Sequence, residues 1–299
     1  MSISPACGRQ PARAPGLRCP LRPTCRRRRL SSPAILAQRP AAPGPARRAA
    51  HVGWGAMPAA AWSAAEARRF AAAHADPLVG LRIYSSRRLG ADPGLVLHGG
   101  GNTSVKSTWA DPLGATRPVL WVKGSGADLA TIDARGFAPV DLEAARRLLA
   151  LERMGDAAML AELRRLRLDA EAPTPSVETL LHASLPFRFV DHTHADDALA
   201  ILTARDATRR AEDLWGEDHL LVPWVMPGFD LARRVVDLWT RAVANGRRPI
   251  GLILLRHGVF SFADDARESC ERMLAAVARA RRARAPRLAV TRPERRRPA

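Results

Sequence analysis

From about residue 60 onward, short apolar runs ending in glycine or histidine alternate with stretches of helical spacing, and no regular βαβ repeat joins them. That mixture is the strongest constraint on the fold, and it points to an α/β domain. AAWSAAEARRFAAAHA (60–75) predicts a helix, with Ser63 as N-cap and Glu66 three residues on, a capping box. GLVLHGGGNTSVK (94–106) reads as a strand running through its glycines, and VLWVKGSG (119–126) as a strand with a glycine turn. Residues 141–168 have helical spacing, interrupted near Gly155-Asp156. ETLLHASL (178–185) reads as a helix, FRFVDHTHA (187–195) as a strand and DLARRVVDLWTRAVA (230–244) as a helix. PIGLILLRHGVF (249–260) reads as one buried strand.

Charge divides the chain in three. Residues 1–57 carry +11 and residues 279–299 carry +8 of the net +18, which leaves 58–278 at −1. The expected organisation is therefore an Arg/Pro-rich disordered segment over 1–57, a folded domain over 58–278 and an Arg-rich disordered segment over 279–299. Neither end shows apolar periodicity, so neither offsets the entropy of ordering it. Only Lys106 and Lys123 stand against 45 arginines, so the basic ends read as coding bias more than as a nucleic-acid surface. Met57 is read as an alternative true start, and the run after Met273 as a truncation or frameshift. No apolar run approaches the length of a membrane span, and the four cysteines show no disulfide spacing. The expected location is the cytoplasm.

Two histidines set one residue apart on a strand project to the same face. His192 and His194 can therefore converge on one cation, and His257, ending GLILL before a glycine, is a third nitrogen donor at a strand end. The alternative is a set of hydrogen-bonded histidines near a sheet edge. Glu178 reads either as a general base or as a capping residue at a helix start, with His182 four residues on as its simple partner. HGGGN (98–102) and KGSG (123–126) offer backbone N–H groups, Asn102 and the charge of Lys123 to an anion, or are ordinary turns. No GxSxG elbow, P-loop or GxGxxG fingerprint is present.

In order along the chain, LHGGGNTSVK, VKGSGADLATI, PSVETLLHASLPFRFVDHTHAD, VMPGFDLA and LLRHGVFSFADDARESCERM resemble the class II aldolase/adducin family. The likeness is strongest to the rhamnulose-1-phosphate aldolase-type domain of bifunctional aldolase/short-chain dehydrogenase proteins, and it runs from about residue 80 to 274. It implies a three-layer α/β/α fold around a mostly antiparallel sheet, a homotetramer, and a divalent metal, commonly zinc. It also implies His192, His194 and His257 as metal ligands and Glu178 as catalytic acid/base. Asn102, Ser125, Gly126 and Ser176 would lie at the substrate phosphate. The implied reaction is cleavage of a ketose 1-phosphate to dihydroxyacetone phosphate and lactaldehyde through a metal-stabilised enediolate. Epimerisation or dehydration of a sugar phosphate, or an inactive truncated member, are the alternatives. Val177 stands where many relatives have a second serine, and Cys270 where relatives carry tyrosine; Tyr84 is the only tyrosine.

Overall fold

The computed structural model describes residues 61–290, with side chains to residue 284. The segment expected to be disordered over 1–57, with Met57, lies outside the described residues, as does the chain beyond residue 290.

Among the described residues, strands β1 (Asn102–Ala110), β2 (Thr116–Lys123), β3 (Phe137–Asp141), β4 (Phe189–Thr193), β5 (His219–Val222), β6 (Gly251–Leu254) and β7 (Gly258–Ala263) form one sheet. Its order is β3-β2-β1-β4-β7-β6-β5. Every neighbouring pair is antiparallel except β5–β6. The mostly antiparallel sheet implied by the family resemblance is therefore present.

Strand side chains alternate between faces, and the two cores follow that alternation. Val190, Leu252, Leu254, Phe260 and Phe262 pack into one cluster with residues of helices α3 (Leu142–Leu148), α4 (Asp156–Arg165), α5 (Thr179–Ser184) and α8 (Phe229–Ala244). Phe189, Ile253 and Val259 pack on the other side with α2 (Pro77–Gly90), α6 (Asp196–Leu202), α7 (Ala207–Trp215) and α9 (Ala266–Val290). The sheet is thus the middle of three layers. The largest fully buried side chain is Trp215, whose indole Nε1 donates to Ala276 O at 3.0 Å and seats α7 on α9.

Helix α1 (Ala64–Ala72) starts as its sequence predicts: the Ser63 hydroxyl accepts from Glu66 N at 3.2 Å. Helix α2 begins at Pro77 behind the Asp76 cap, an arrangement that uses a residue with no N–H where none is needed.

Three boundaries differ from expectation. The glycines of 98–101 are not strand; β1 begins at Asn102, and the preceding residues turn so that Gly101 takes φ 64°. PIGLILLRHGVF is not one strand but the β6–β7 hairpin, whose tight connection is Leu255-Arg256-His257 with Arg256 at φ 60°. The chain does not leave its fold at 279: α9 continues to Val290. There Arg279 grips Asp218 with two bonds of 2.8 and 2.5 Å, and Arg281 and Arg284 both hold Asp197. Basic residues that look like a tail by composition are paired with acids of the domain.

A buried polar network locks β4 to the helices behind it. Arg82 on α2 and Asp191 on β4 form an ion pair in which both side chains are fully buried. Asp191 also accepts from Ser269 Oγ at 2.5 Å, tying β4 to α9. Arg82 spends its other donors on Ser86 Oγ, Ser104 O and Val190 O. Every partner of the charge is thus supplied from within, as burial demands.

Candidate metal centre and anion loops

β4 lies between β1 and β7, so His192 stands in register with Asn102 on one side and Phe260 on the other. Its ring stacks on Phe260, with centroids 4.1 Å apart and planes at 14°. His192 Nδ1 lies 3.0 Å from Val259 O, so Nδ1 carries the proton and Nε2 presents a lone pair. His194 follows the strand by one residue and turns its Nε2 to within 2.9 Å of His192 Nε2. His257 enters from the β6–β7 connection, its ring centroid 4.9 Å from that of His192 and 5.4 Å from that of His194. One ligand atom from each of the three lies within 4.8 Å of the others.

Two close approaches leave room for this arrangement. A Cβ on Gly258 would stand 2.4 Å from Thr193 O and 2.9 Å from His192 Cε1, so a side chain there would displace the histidines. A Cβ on Gly101 would meet His192 O at 2.9 Å, and its φ of 64° already favours glycine.

Glu178 completes the cluster. It occupies the N-cap position of α5, but its side chain makes no capping bond; its own N–H donates to Ser176 Oγ at 3.2 Å in the turn before the helix. The carboxylate is therefore free to reach the imidazoles. Its Oε1 lies 3.2 Å from His257 Nε2 and 3.4 Å from His192 Nε2, in positions that complete no hydrogen bond. His182 does not bond Glu178: its Nδ1 meets Ser104 Oγ at 2.8 Å.

Burial pushes His192 and His194 below the ordinary imidazole range, while the Glu178 carboxylate pulls both the other way. Burial alone would raise the Glu178 carboxyl, but the neighbouring His192 and His257 more than offset it and hold it below the usual carboxylate range. The cluster offers one ring nitrogen from each histidine and a carboxylate oxygen. Lone pairs of His192 and His194 facing each other at 2.9 Å repel unless a proton or a cation lies between them. Two nitrogens bound at 2.0–2.1 Å to one tetrahedral ion would stand about 3.3 Å apart, close to this spacing. The residues fit a divalent metal such as zinc.

The loops sit beside the cluster. Asn102 is 1% exposed, and neither its Oδ1 nor its Nδ2 has a partner, an expensive state unless a ligand supplies one. Ser125 and Gly126 are exposed. Ser125 N donates to Thr174 O at 2.9 Å and Gly124 bridges to Pro175, which brings the KGSG turn alongside the segment carrying Ser176 and Glu178. Tyr84 takes no part: it is buried on α2 against Trp62 and Phe70, its hydroxyl accepting from Ser63 N. Val177 is exposed, and Cys270 is buried in α9. The Arg82–Asp191–Ser269 network, which fixes the residue next to His192 from behind, had no signal in the sequence, because Arg82 and Ser269 stand 109 and 78 residues from Asp191 along the chain.

Fold and site together define a three-layer α/β/α domain that carries a histidine cluster on a central strand. The chain belongs to the family described as the class II aldolase and adducin N-terminal domain, whose model matches residues 82–283. It is similar to the N-terminal class II aldolase domain of a conserved protein from Thermoplasma acidophilum, with TM-score 0.62 and 38% identity over 68% of this chain and 92% of that one. It is also 38% identical over 188 residues to YuxG of Bacillus subtilis, called an uncharacterized oxidoreductase. That match takes in 63% of this chain but only 27% of YuxG, so this chain spans about a quarter of that relative's length.

Proposed function

We propose that this chain is a divalent-metal-dependent aldolase that cleaves a ketose 1-phosphate of the rhamnulose 1-phosphate kind to dihydroxyacetone phosphate and an aldehyde such as lactaldehyde. The observation that carries this reading is the meeting of His192, His194 and His257 with the Glu178 carboxylate beside two glycine loops. Membership of the class II aldolase family supports it.

In cleavage the C4 hydroxyl loses a proton, the C3–C4 bond breaks and C3 gains a proton. The three histidines would hold a zinc or similar ion, which when bound supplies a Lewis acid for the charge that develops on the substrate's oxygens. Glu178, kept ionised and free of capping duty, would carry the proton at C3. Asn102 would give its unused amide to the phosphate, joined by Ser125, the Gly126 N–H and Ser176. Ser176 would have to share its hydroxyl, which also accepts from Glu178 N; this links phosphate contact to the position of the acid/base. The substrate is a small sugar phosphate, and the working form a homotetramer in the cytoplasm. Among the described residues no helix is long and apolar enough to cross a membrane. The oxidoreductase label of YuxG gives no support for hydride chemistry here, because most of that relative lies outside the match.

The test is aldol cleavage of L-rhamnulose 1-phosphate by the purified full chain, with metal content measured on the same sample. Cleavage with about one zinc per chain, both lost in His192→Ala, is the expected result. Bound metal without cleavage moves the substrate to another sugar phosphate; neither metal nor cleavage overturns the reading.

A further inference from the structure

The chain uses arginine 45 times and lysine twice, and both lysines lie on adjacent strands, Lys106 on β1 and Lys123 at the end of β2. Half-buried Lys106 donates to the carbonyls of His182 and Phe187. Lys123 ends β2, is 3% exposed, and sends Nζ across to Gly99 O at 2.8 Å, with its own loop's Gly124 O at 3.5 Å. Its ammonium is therefore wedged between the two glycine loops.

Those loops touch. A Cβ built on Gly99 would lie 3.2–3.3 Å from three backbone atoms of Gly126. The same segment reaches the histidines, since a Cβ on Gly100 would be 3.9 Å from His194 Nδ1 and one on Gly101 would be 2.9 Å from His192 O. It ends at Asn102, whose two buried side-chain atoms lack partners. His98, at φ 51°, holds the segment in a conformation that a residue with a Cβ adopts reluctantly, so an outside contact is needed to keep it there.

We propose that Lys123 is a positioning residue that clamps the 98–101 loop onto the 124–126 loop through Nζ–Gly99 O, so that Asn102 and the backbone N–H groups of both loops form one cradle for a phosphate. A compact ammonium suits this place. It accommodates two carbonyls at a tight junction and leaves an N–H over, whereas a guanidinium is wider, planar and directs its donors in a fixed fork. That accounts for lysine at a position where the rest of the chain would place arginine. The proposal rests on the sugar-phosphate reading for the identity of the anion, but not for the clamp itself.

The experiment compares the full chain with its Lys123→Met variant by amide hydrogen exchange, by binding of inorganic phosphate and by metal content. Lys123→Met should speed exchange at residues 99–101 at least tenfold and weaken phosphate at least tenfold, with exchange in α8 and the zinc content unchanged. A change spread evenly over the domain, or loop exchange or phosphate affinity at the wild-type value, overturns the proposal. Should Lys123→Met not fold, Lys123→Arg is judged by the same two measurements, because it keeps the charge and loses the fit. If the wild-type chain itself binds no phosphate, the sugar-phosphate reading fails, and loop exchange alone decides the clamp.

Discussion

Replacing Asp191 with leucine leaves the Arg82 guanidinium fully buried without its counter-ion. Breaking a buried pair from one side costs roughly 3–5 kcal/mol. Ser86 Oγ, Ser104 O and Val190 O still accept from Nε and Nη1 of Arg82, but Nη2 loses Asp191, its one acceptor, so the cost should fall well inside that range, about 4 kcal/mol. With a urea slope of about 2–3 kcal/mol per molar, the midpoint should drop by about 1 M or more. Arg82→Met/Asp191→Leu removes both charges together, and it should be less damaging than Asp191→Leu alone. Urea unfolding followed by far-UV circular dichroism on the wild type, both singles and the double closes the cycle. The Asp191 side chain faces α2 and α9, opposite to His192, so the content of any metal held by the histidines should be unchanged without urea in every folded variant. A shift under 0.3 M for Asp191→Leu, or a double mutant as unstable as the sum of the singles, would refute the reasoning.

On the proposed aldolase function, Glu178→Gln should lower the cleavage rate roughly 10²–10⁴-fold while bound-metal content stays at the wild-type level; an unchanged rate removes Glu178 from the proton step. Hydrogen bonds from Arg279 hold the Asp218 carboxyl down at about 2, against an ordinary 3.8. A depressed carboxylate adds stability that is present above pH 3.8 and is lost as pH falls toward 2. Arg279→Gln should cost at most about 1 kcal/mol at pH 7, because the pair is partly exposed, and the gap to wild type should narrow between pH 4 and pH 2 in urea titrations. Burial pushes the Cys270 thiol up to about 12. Iodoacetamide at pH 8 should leave Cys270 unmodified in the native chain and label it in urea, read by peptide mass spectrometry; rapid native labelling would contradict its burial.

Local signals carried the elements that obey local rules. The Ser63 cap, the amphipathic stretch 230–244 and the break at Gly155 were legible because each is decided within a few residues. The β6–β7 hairpin was not, since both strands are buried on both faces and read as one apolar run, and Arg256 rather than glycine or asparagine takes the left-handed turn position. β5 is four residues long and joins the sheet through β6, a partner about thirty residues away. At the site, the HxH spacing placed two imidazoles on one side of a strand. The approach of His257 depends on β7 lying next to β4, which no local pattern states. Glu178 was readable as acid/base or cap; only the geometry shows that it takes the N-cap position yet turns its carboxylate to the imidazoles.

β1 acquires its two neighbours at very different moments of synthesis. β2 follows it after a short turn, but its other edge waits for β4, with residues 111–188 between them. At about 5–20 residues per second, a ribosome leaves that edge of β1 unpaired for roughly four to sixteen seconds. An open edge presents unpaired backbone N–H and C=O groups, which invite association with other strands. The later of the two seams of β1 is the one that joins Asn102 to His192, so the anion loops meet His192 only once β4 pairs with β1. A chain stalled before β4 would carry one half of the site and a sticky edge.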